Sequence, residues 1–248
     1  TRRSSDLLFV GHWLQGDYGQ DRKNVGLMIR VFLETFKNKP KGKVPALILK
    51  TQTANSSILD REKILKKIDS IRKLVKGTLP NIYLIHGEMD DAEINMLYNH
   101  SKVKAMVSLT RGEGFGRPLL EFSLVKKPII ASAWSGHIDF LQRDYCLLVG
   151  GKLENVHKSA AMKDMLLEEA KWFTASENDA HQAFKVVFKK YKQVLVNAKR
   201  QGSINSSNFS FESMTNLLQN LLIKHTPQLP VQVELSMPSL KLPKLQKI

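Results

Sequence analysis

The sequence predicts an α/β protein built on a doubly wound parallel sheet, and three observations carry that reading. Short apolar runs alternate with stretches of amphipathic helical spacing. The runs are continuous rather than alternating, as in strands buried on both faces. A glycine-rich loop follows the fourth run, where an open parallel sheet places its ligands at the carboxyl edge.

The elements follow in order. Residues 7–10 read as the first strand. Val25–Phe36 reads as a helix, with Val25, Met28, Ile29, Phe32 and Phe36 on one face. Residues 44–49 are a second strand, and residues 58–75 a long helix with Ile64, Ile68, Ile71 and Val75 along its inner stripe. Residues 81–85 are a third strand. Asp90 and Asp91 cap and start a helix that runs to about His100. Residues 105–109 are the fourth strand. Pro118 stands early in the next helix, where a missing N–H costs nothing, and places Glu121 about two turns in. Residues 127–131 and 145–149 are the fifth and sixth strands. Residues 162–173, 177–199 and 211–222 all show helical spacing. From Thr226 the prolines 227, 230, 238 and 243 punctuate a basic, leucine-rich stretch, read as an extended tail. The predicted organisation is one domain over residues 1–225 and a tail over 226–248.

Composition narrows the function classes. The 248 residues carry a formal net charge of +15, spread over several segments. Lys37, Lys39, Lys41, Lys43 and Lys50 flank the second strand. A second set, including Arg61, Lys66 and Lys73, lies on the following helix, and a third on residues 177–199. Most read as solvated faces. A functional reading is contact with an anionic surface: nucleic acid, membrane or acidic glycan. Aromatic residues are not interleaved with these cations as a stacking platform requires. The single cysteine, Cys146, excludes an internal disulfide and a cysteine metal cluster and reads as a packed residue. No apolar run approaches the roughly 18 residues of a membrane span, and no secretory signal is visible. The expected location is cytoplasmic, with peripheral membrane contact open. No metal site is expected, because none of the histidines forms a ligand pattern.

The most informative stretch is Thr110-Arg-Gly-Glu-Gly-Phe-Gly-Arg-Pro-Leu-Leu-Glu121. Its glycines do not match a dinucleotide fingerprint, which follows a first strand, or a P-loop, which ends in Lys-Ser or Lys-Thr. They leave backbone N–H groups beside a helix N-terminus, suited to a phosphate or a sugar. Taken singly, Glu113 reads as a loop carboxylate and Glu121 as a surface helix residue.

Taken together, Glu113 and Glu121 resemble the E-x7-E signature of retaining glycosyltransferases with the GT-B fold, the group of glycogen and sucrose synthases. Other segments are similar to that family in the same order. Phe9-Val-Gly11 with Asp21-Arg-Lys-Asn24 resembles its first strand and basic loop. Leu97-Tyr98, Lys127-Pro-Ile-Ile-Ala-Ser132 and Ser135-Gly136 resemble later motifs. Trp172-Phe-Thr-Ala-Ser-Glu177 looks like a helix start of the family, with Ala175 in place of its usual proline, and Phe209-Ser-Phe211 resembles the start of its last helix.

The resemblance implies a Rossmann-like donor-binding domain, the C-terminal half of a GT-B fold, with an N-terminal acceptor domain expected upstream of Thr1. It implies a UDP- or GDP-sugar as donor, transfer with retention to an acceptor of unspecified class, and no cofactor. Arg22 and Lys23 would bind the donor diphosphate, and Glu113 the donor sugar; these three are the catalytic candidates. Gly11 would let the backbone approach the phosphates, Phe115, Gly116 and Arg117 would offer backbone N–H groups to the sugar or distal phosphate, and His12 and Glu121 would complete the donor site, with Glu121 on the ribose. His12 departs from the family's usual arginine, and Arg117 from its usual leucine or isoleucine. Two other readings stay open: a basic α/β module that binds a polyanion without catalysis, and a related GT-B phosphorylase or epimerase.

Overall fold

The computed structural model describes residues 6–227 apart from Asp17, Lys41 and Ala54. Six parallel strands form one sheet: β1 (Asp6–Val10), β2 (Leu47–Lys50), β3 (Ile82–Ile85), β4 (Val103–Ser108), β5 (Ile129–Ser132) and β6 (Leu147–Val149). Their spatial order is β3-β2-β1-β4-β5-β6. The chain therefore winds outward from β1 to β3, returns to pair β4 with β1, and winds outward on the other side. The junction of β1 and β4 is the topological switch point, where ligands enter such sheets.

Alternate residues of each strand feed opposite faces. Leu7 and Phe9 of β1 join Leu47, Leu49, Ala105 and Val107 in the larger core. That core is covered by α1 (Val25–Phe36), α2 (Ile58–Leu74) and α5 (Glu177–Lys189). Phe32 of α1 meets Phe184 of α5 edge-on at 6.1 Å, and both rings are fully buried. Leu8, Met106, Ile129 and Ala131 point the other way, against α3 (Asp91–Asn99) and α4 (Arg117–Leu124). Each large side chain buried in these layers stabilises the fold by roughly 1.5–3 kcal/mol.

The helix termini follow the sequence. Asp90 and Glu93 form a reciprocal capping box at the start of α3. Ser57 caps α2 and Ser176 caps α5.

Three predictions are corrected. Residues 162–173 are not helical: an antiparallel hairpin, β7 (Gly151–Asn155) with β8 (Lys171–Ala175), occupies this region. The residues between the strands turn, with Asp164 at φ 61° and a single bridge from Met162 to Leu166. Residues 177–199 are not one helix. The chain breaks at Lys190, whose φ of −116° and ψ of 30° leave the helical region, and restarts as α6 (Tyr191–Asn208). Helix α4 begins at Arg117, so Glu121 lies one turn in rather than two. The unit that begins at Phe211 contains α7 (Phe211–His225), a helix over the segment expected to be one. The predicted tail lies outside the described residues beyond Pro227.

Candidate functional site

The site is built from loops at the carboxyl edge of the sheet. The β1–α1 loop is folded tightly on itself. A Cβ on Gly16 would lie 2.7 Å from the amide nitrogen of Asp21, and the residue has a φ of 129°. Asp21 is buried, and one oxygen of its carboxylate accepts a hydrogen bond from Val25 N–H at the start of α1. Burial pushes the Asp21 carboxyl up, against the backbone bonds that favour its charge. Asn24 takes the left-handed conformation and is fully buried. This turn sets Arg22 and Lys23 at the mouth of the switch point.

The β4–α4 loop meets them there. The Lys23 ammonium donates to the Glu113 carboxylate, and both side chains are nearly buried. Arg22 donates to the Gly112 carbonyl at 2.9 Å and lies 3.7 Å from the same carboxylate. Burial pulls Lys23 below its ordinary range, while Glu113 favours the charged form. The main chains are tied as well, since Arg111 N–H donates to the Arg22 carbonyl at 2.9 Å. The Arg111 guanidinium reaches the Gly19 carbonyl and the Thr174 hydroxyl, and lies 4.8 Å above the Trp172 ring. Hairpin β7–β8 is thereby fixed to both loops.

Ser135 braces the glutamate loop. Glu113 N–H donates to the Ser135 hydroxyl at 2.9 Å, and that hydroxyl donates to the Glu113 carbonyl at 2.6 Å. A Cβ on the neighbouring Gly136 would fall 2.0 Å from the Gly114 carbonyl oxygen, so only glycine fits. His137 is fully buried and donates through Nε2 to the Ser132 carbonyl at 2.6 Å. Burial holds its imidazole below the ordinary histidine range, which keeps it neutral. Gly116, at φ 92°, packs against His137 and opens α4, whose N-terminus carries no side-chain cap.

A cleft of about 450 Å³ runs along this edge, lined by Gly11, His12, Arg22, Lys23 and Pro118. The structure thus brings together the four predicted residues of the β1–α1 segment. His12 Nδ1 donates to the Thr53 carbonyl at 2.9 Å, which leaves Nε2 as the free nitrogen of the exposed ring. Glu113 joins these residues through Lys23. The Phe115 ring packs on Phe140 and Phe209 at 5.2 and 6.2 Å, so its side chain braces the loop while the assigned role falls to its backbone N–H. Glu121 borders an adjacent cavity of about 440 Å³, where it accepts from Arg117 at 2.6 Å and from the Tyr98 hydroxyl at 3.4 Å. Ile94 lines both cavities.

Sequence reasoning missed several members. Lys50, read as one of a solvated set, ends β2 inside the cleft, beside Thr51, Gln52 and Glu88. Its position as the last residue of a parallel strand was the available signal. Ser135 entered only through the resemblance of Ser135-Gly136 to a family motif, and His137 carried no assigned role. Among the described residues, no three His, Cys, Asp or Glu side chains group closely enough to hold a metal ion, and no helix is long and apolar enough to cross a membrane.

No family model matches this sequence, and no curated protein is similar to it in sequence. Solved structures are similar in fold. The chain superposes on Anabaena Alr3699/HepE, solved with UDP and glucose, with a TM-score of 0.56 at 11% identity, over 89% of this chain and 49% of that one. It matches the sucrose-phosphate synthase of Thermosynechococcus elongatus with a TM-score of 0.56 at 17% identity, covering 89% and 46%. It matches the C-terminal domain of the glycosyl transferase group 1 family protein LpcC of Francisella tularensis with a TM-score of 0.56 at 15% identity, covering 83% and 87%. The fold is that of the C-terminal domain of GT-B glycosyltransferases. The chain spans about half the length of the Anabaena and Thermosynechococcus proteins.

Proposed function

We propose that this chain is the donor-binding domain of a glycosyltransferase that takes a nucleotide-diphosphate sugar and transfers the sugar with retention, without a metal. The observation that carries the reading is the meeting of Arg22, Lys23 and Glu113 at the switch point, beside an open cleft. In that arrangement the donor diphosphate lies against Arg22 and Lys23. When the bond from the anomeric carbon to the phosphate oxygen breaks, negative charge grows on the departing diphosphate. Two fixed cations there favour the transition state over the ground state. Glu113 orients the Lys23 ammonium and presents its second oxygen to sugar hydroxyls. Where α4 opens, the backbone N–H groups of Gly116 and Arg117 suit an anion. Glu121, steered by Arg117 and Tyr98, accepts from the ribose hydroxyls.

Fold kinship with enzymes such as the Anabaena protein, solved with UDP-glucose, supports a nucleotide-sugar donor. The acceptor belongs to the activity of the whole protein and is left open, as is an anionic surface near the exposed lysines. Calorimetry with UDP and GDP, each with and without EDTA, tests the reading. Binding of at least one nucleotide that survives EDTA is expected. Binding of neither, or binding that EDTA abolishes, refutes it.

A further inference from the structure

The sheet order gives the cleft a direction. Arg22 and Lys23 stand over β1 and β4, and the cleft extends from them across β2 toward β3. If the diphosphate occupies the first end, as the proposed function holds, the nucleoside extends toward the second. At that end the side-chain chemistry changes. Met89 and Ile94 offer apolar surface for the faces of a ring. Lys50 brings a cation, its ammonium donating to the Gly87 carbonyl at 2.5 Å, and Glu88 brings a carboxylate beside it. Burial lowers the Lys50 amine from its ordinary value, and Glu88 and Glu93 act in the opposite sense.

Two further polar groups lie in the same wall. Thr51 and Gln52 are more than nine-tenths buried, and both line the cleft. Among the described residues, the Thr51 hydroxyl and the Gln52 side-chain carbonyl have no hydrogen-bond partner. A buried polar group left unpaired is costly, so such atoms mark where a ligand or an ordered water completes the structure. The Gln52 oxygen can only accept.

The β2–β3 side of the cleft is therefore rich in acceptors, with one strong donor, Lys50. The bases differ in how they meet that pattern. Guanine presents two adjacent donors, N1–H and the N2 amino group, next to the O6 acceptor. Uracil presents one N–H between two carbonyls, so a carboxylate that accepts from it also faces a carbonyl oxygen. Cytosine and adenine each present a ring-nitrogen acceptor beside a single amino group. We infer that Lys50, Gln52 and Glu88 form the base-reading end of the donor site and select guanine, with Glu88 accepting from N1–H and N2–H and Lys50 donating to O6.

This inference rests on the proposed nucleotide-binding role, and one experiment separates the two. Titrate the full chain calorimetrically with GDP, UDP, CDP and ADP, then repeat with Glu88→Gln and Lys50→Met. GDP is expected to bind about tenfold or more tightly than UDP; Glu88 is exposed, so the preference falls short of the 10⁴–10⁵ of an enclosed polar site. Glu88→Gln should bring GDP to within about threefold of UDP, because the loss of a charged hydrogen bond falls on the guanine complex alone. Lys50→Met should weaken GDP more than UDP. The unfolding midpoint of each variant confirms that it folds, and the exposed position of Glu88 makes it the safer of the two. Tighter binding of UDP, equal binding of all four, or a ranking unchanged in Glu88→Gln would overturn the guanine assignment and leave the nucleotide site standing. Binding of none would remove both.

Discussion

Lys23 and Glu113 are 90 positions apart in the chain, and they form an ion pair where β1 and β4 lie side by side. Neither residue is distinctive alone. Their pairing at the switch point converts a basic turn and a loop carboxylate into one site, and it yields a direct test.

Lys23→Ala is expected to weaken nucleoside diphosphate binding by about 1.5–3 kcal/mol, the range for a hydrogen bond to a charged group, and to leave nucleoside binding nearly unchanged. Calorimetry with GDP or UDP against the parent nucleoside reads the difference. Equal losses for both ligands would place Lys23 away from the phosphates.

Glu121→Ala is expected to weaken nucleoside and nucleoside diphosphate alike, by a similar amount, because the contact it removes is to the sugar they share. Tyr98 and Arg117 hold the Glu121 carboxylate. Tyr98→Phe should then weaken both ligands by less than Glu121→Ala. A loss confined to the diphosphate would reassign Glu121.

Gly116→Ala tests the turn into α4. The residue has a φ of 92°, and an added Cβ would lie 2.9 Å from the Cβ of the buried His137. The expected cost is about 1–3 kcal/mol of stability, measured by urea unfolding. Donor affinity should fall with it, since the start of the helix shifts. A variant as stable as the parent would show that the turn relaxes freely.

Asp60 supplies a dependence on pH. Burial would raise its carboxyl, but bonds from the Thr53 hydroxyl, the Thr53 amide and His86 together hold it below its ordinary value. A carboxyl depressed in the folded state stabilises the protein above its unfolded pKa, near 3.9, and that stabilisation drains away as pH falls through the folded value. Asp60→Asn should thus be less stable than the parent at pH 7. The gap should narrow in acid below about pH 4. A gap that stays constant over that range would mean that packing alone is responsible.

Much of this was legible in the sequence because the strands are buried on both faces. Continuous runs such as Ala105-Met106-Val107 have no other comfortable place, and Asp90 with Asp91 announced its own helix start. The hairpin was not legible. Met162, Leu166 and Ala170 fall at helical spacing, yet the partly buried Ala161, Leu166 and Ala170 pack on Val156, Ala160 and Trp172 in a small core of their own. The break at Lys190 has no glycine or proline to announce it. Lys50 was hidden for a different reason. A lysine at the end of a strand looks like any solvated cation until the sheet order places it in the same cleft as Lys23.

The pairing of β1 with β4 also bears on how the molecule assembles. The β1-α1-β2-α2-β3 segment can fold from neighbouring residues, but closing β4 onto β1 must first overcome the loop entropy of the intervening chain. Contacts of such sequence separation form slowly. The cation pair and its carboxylate come into register only at that closure, so the proposed donor site would be completed late. A ligand that spans the junction then acts as a clasp on the two halves, slowing their separation in the native state more than it speeds their first meeting.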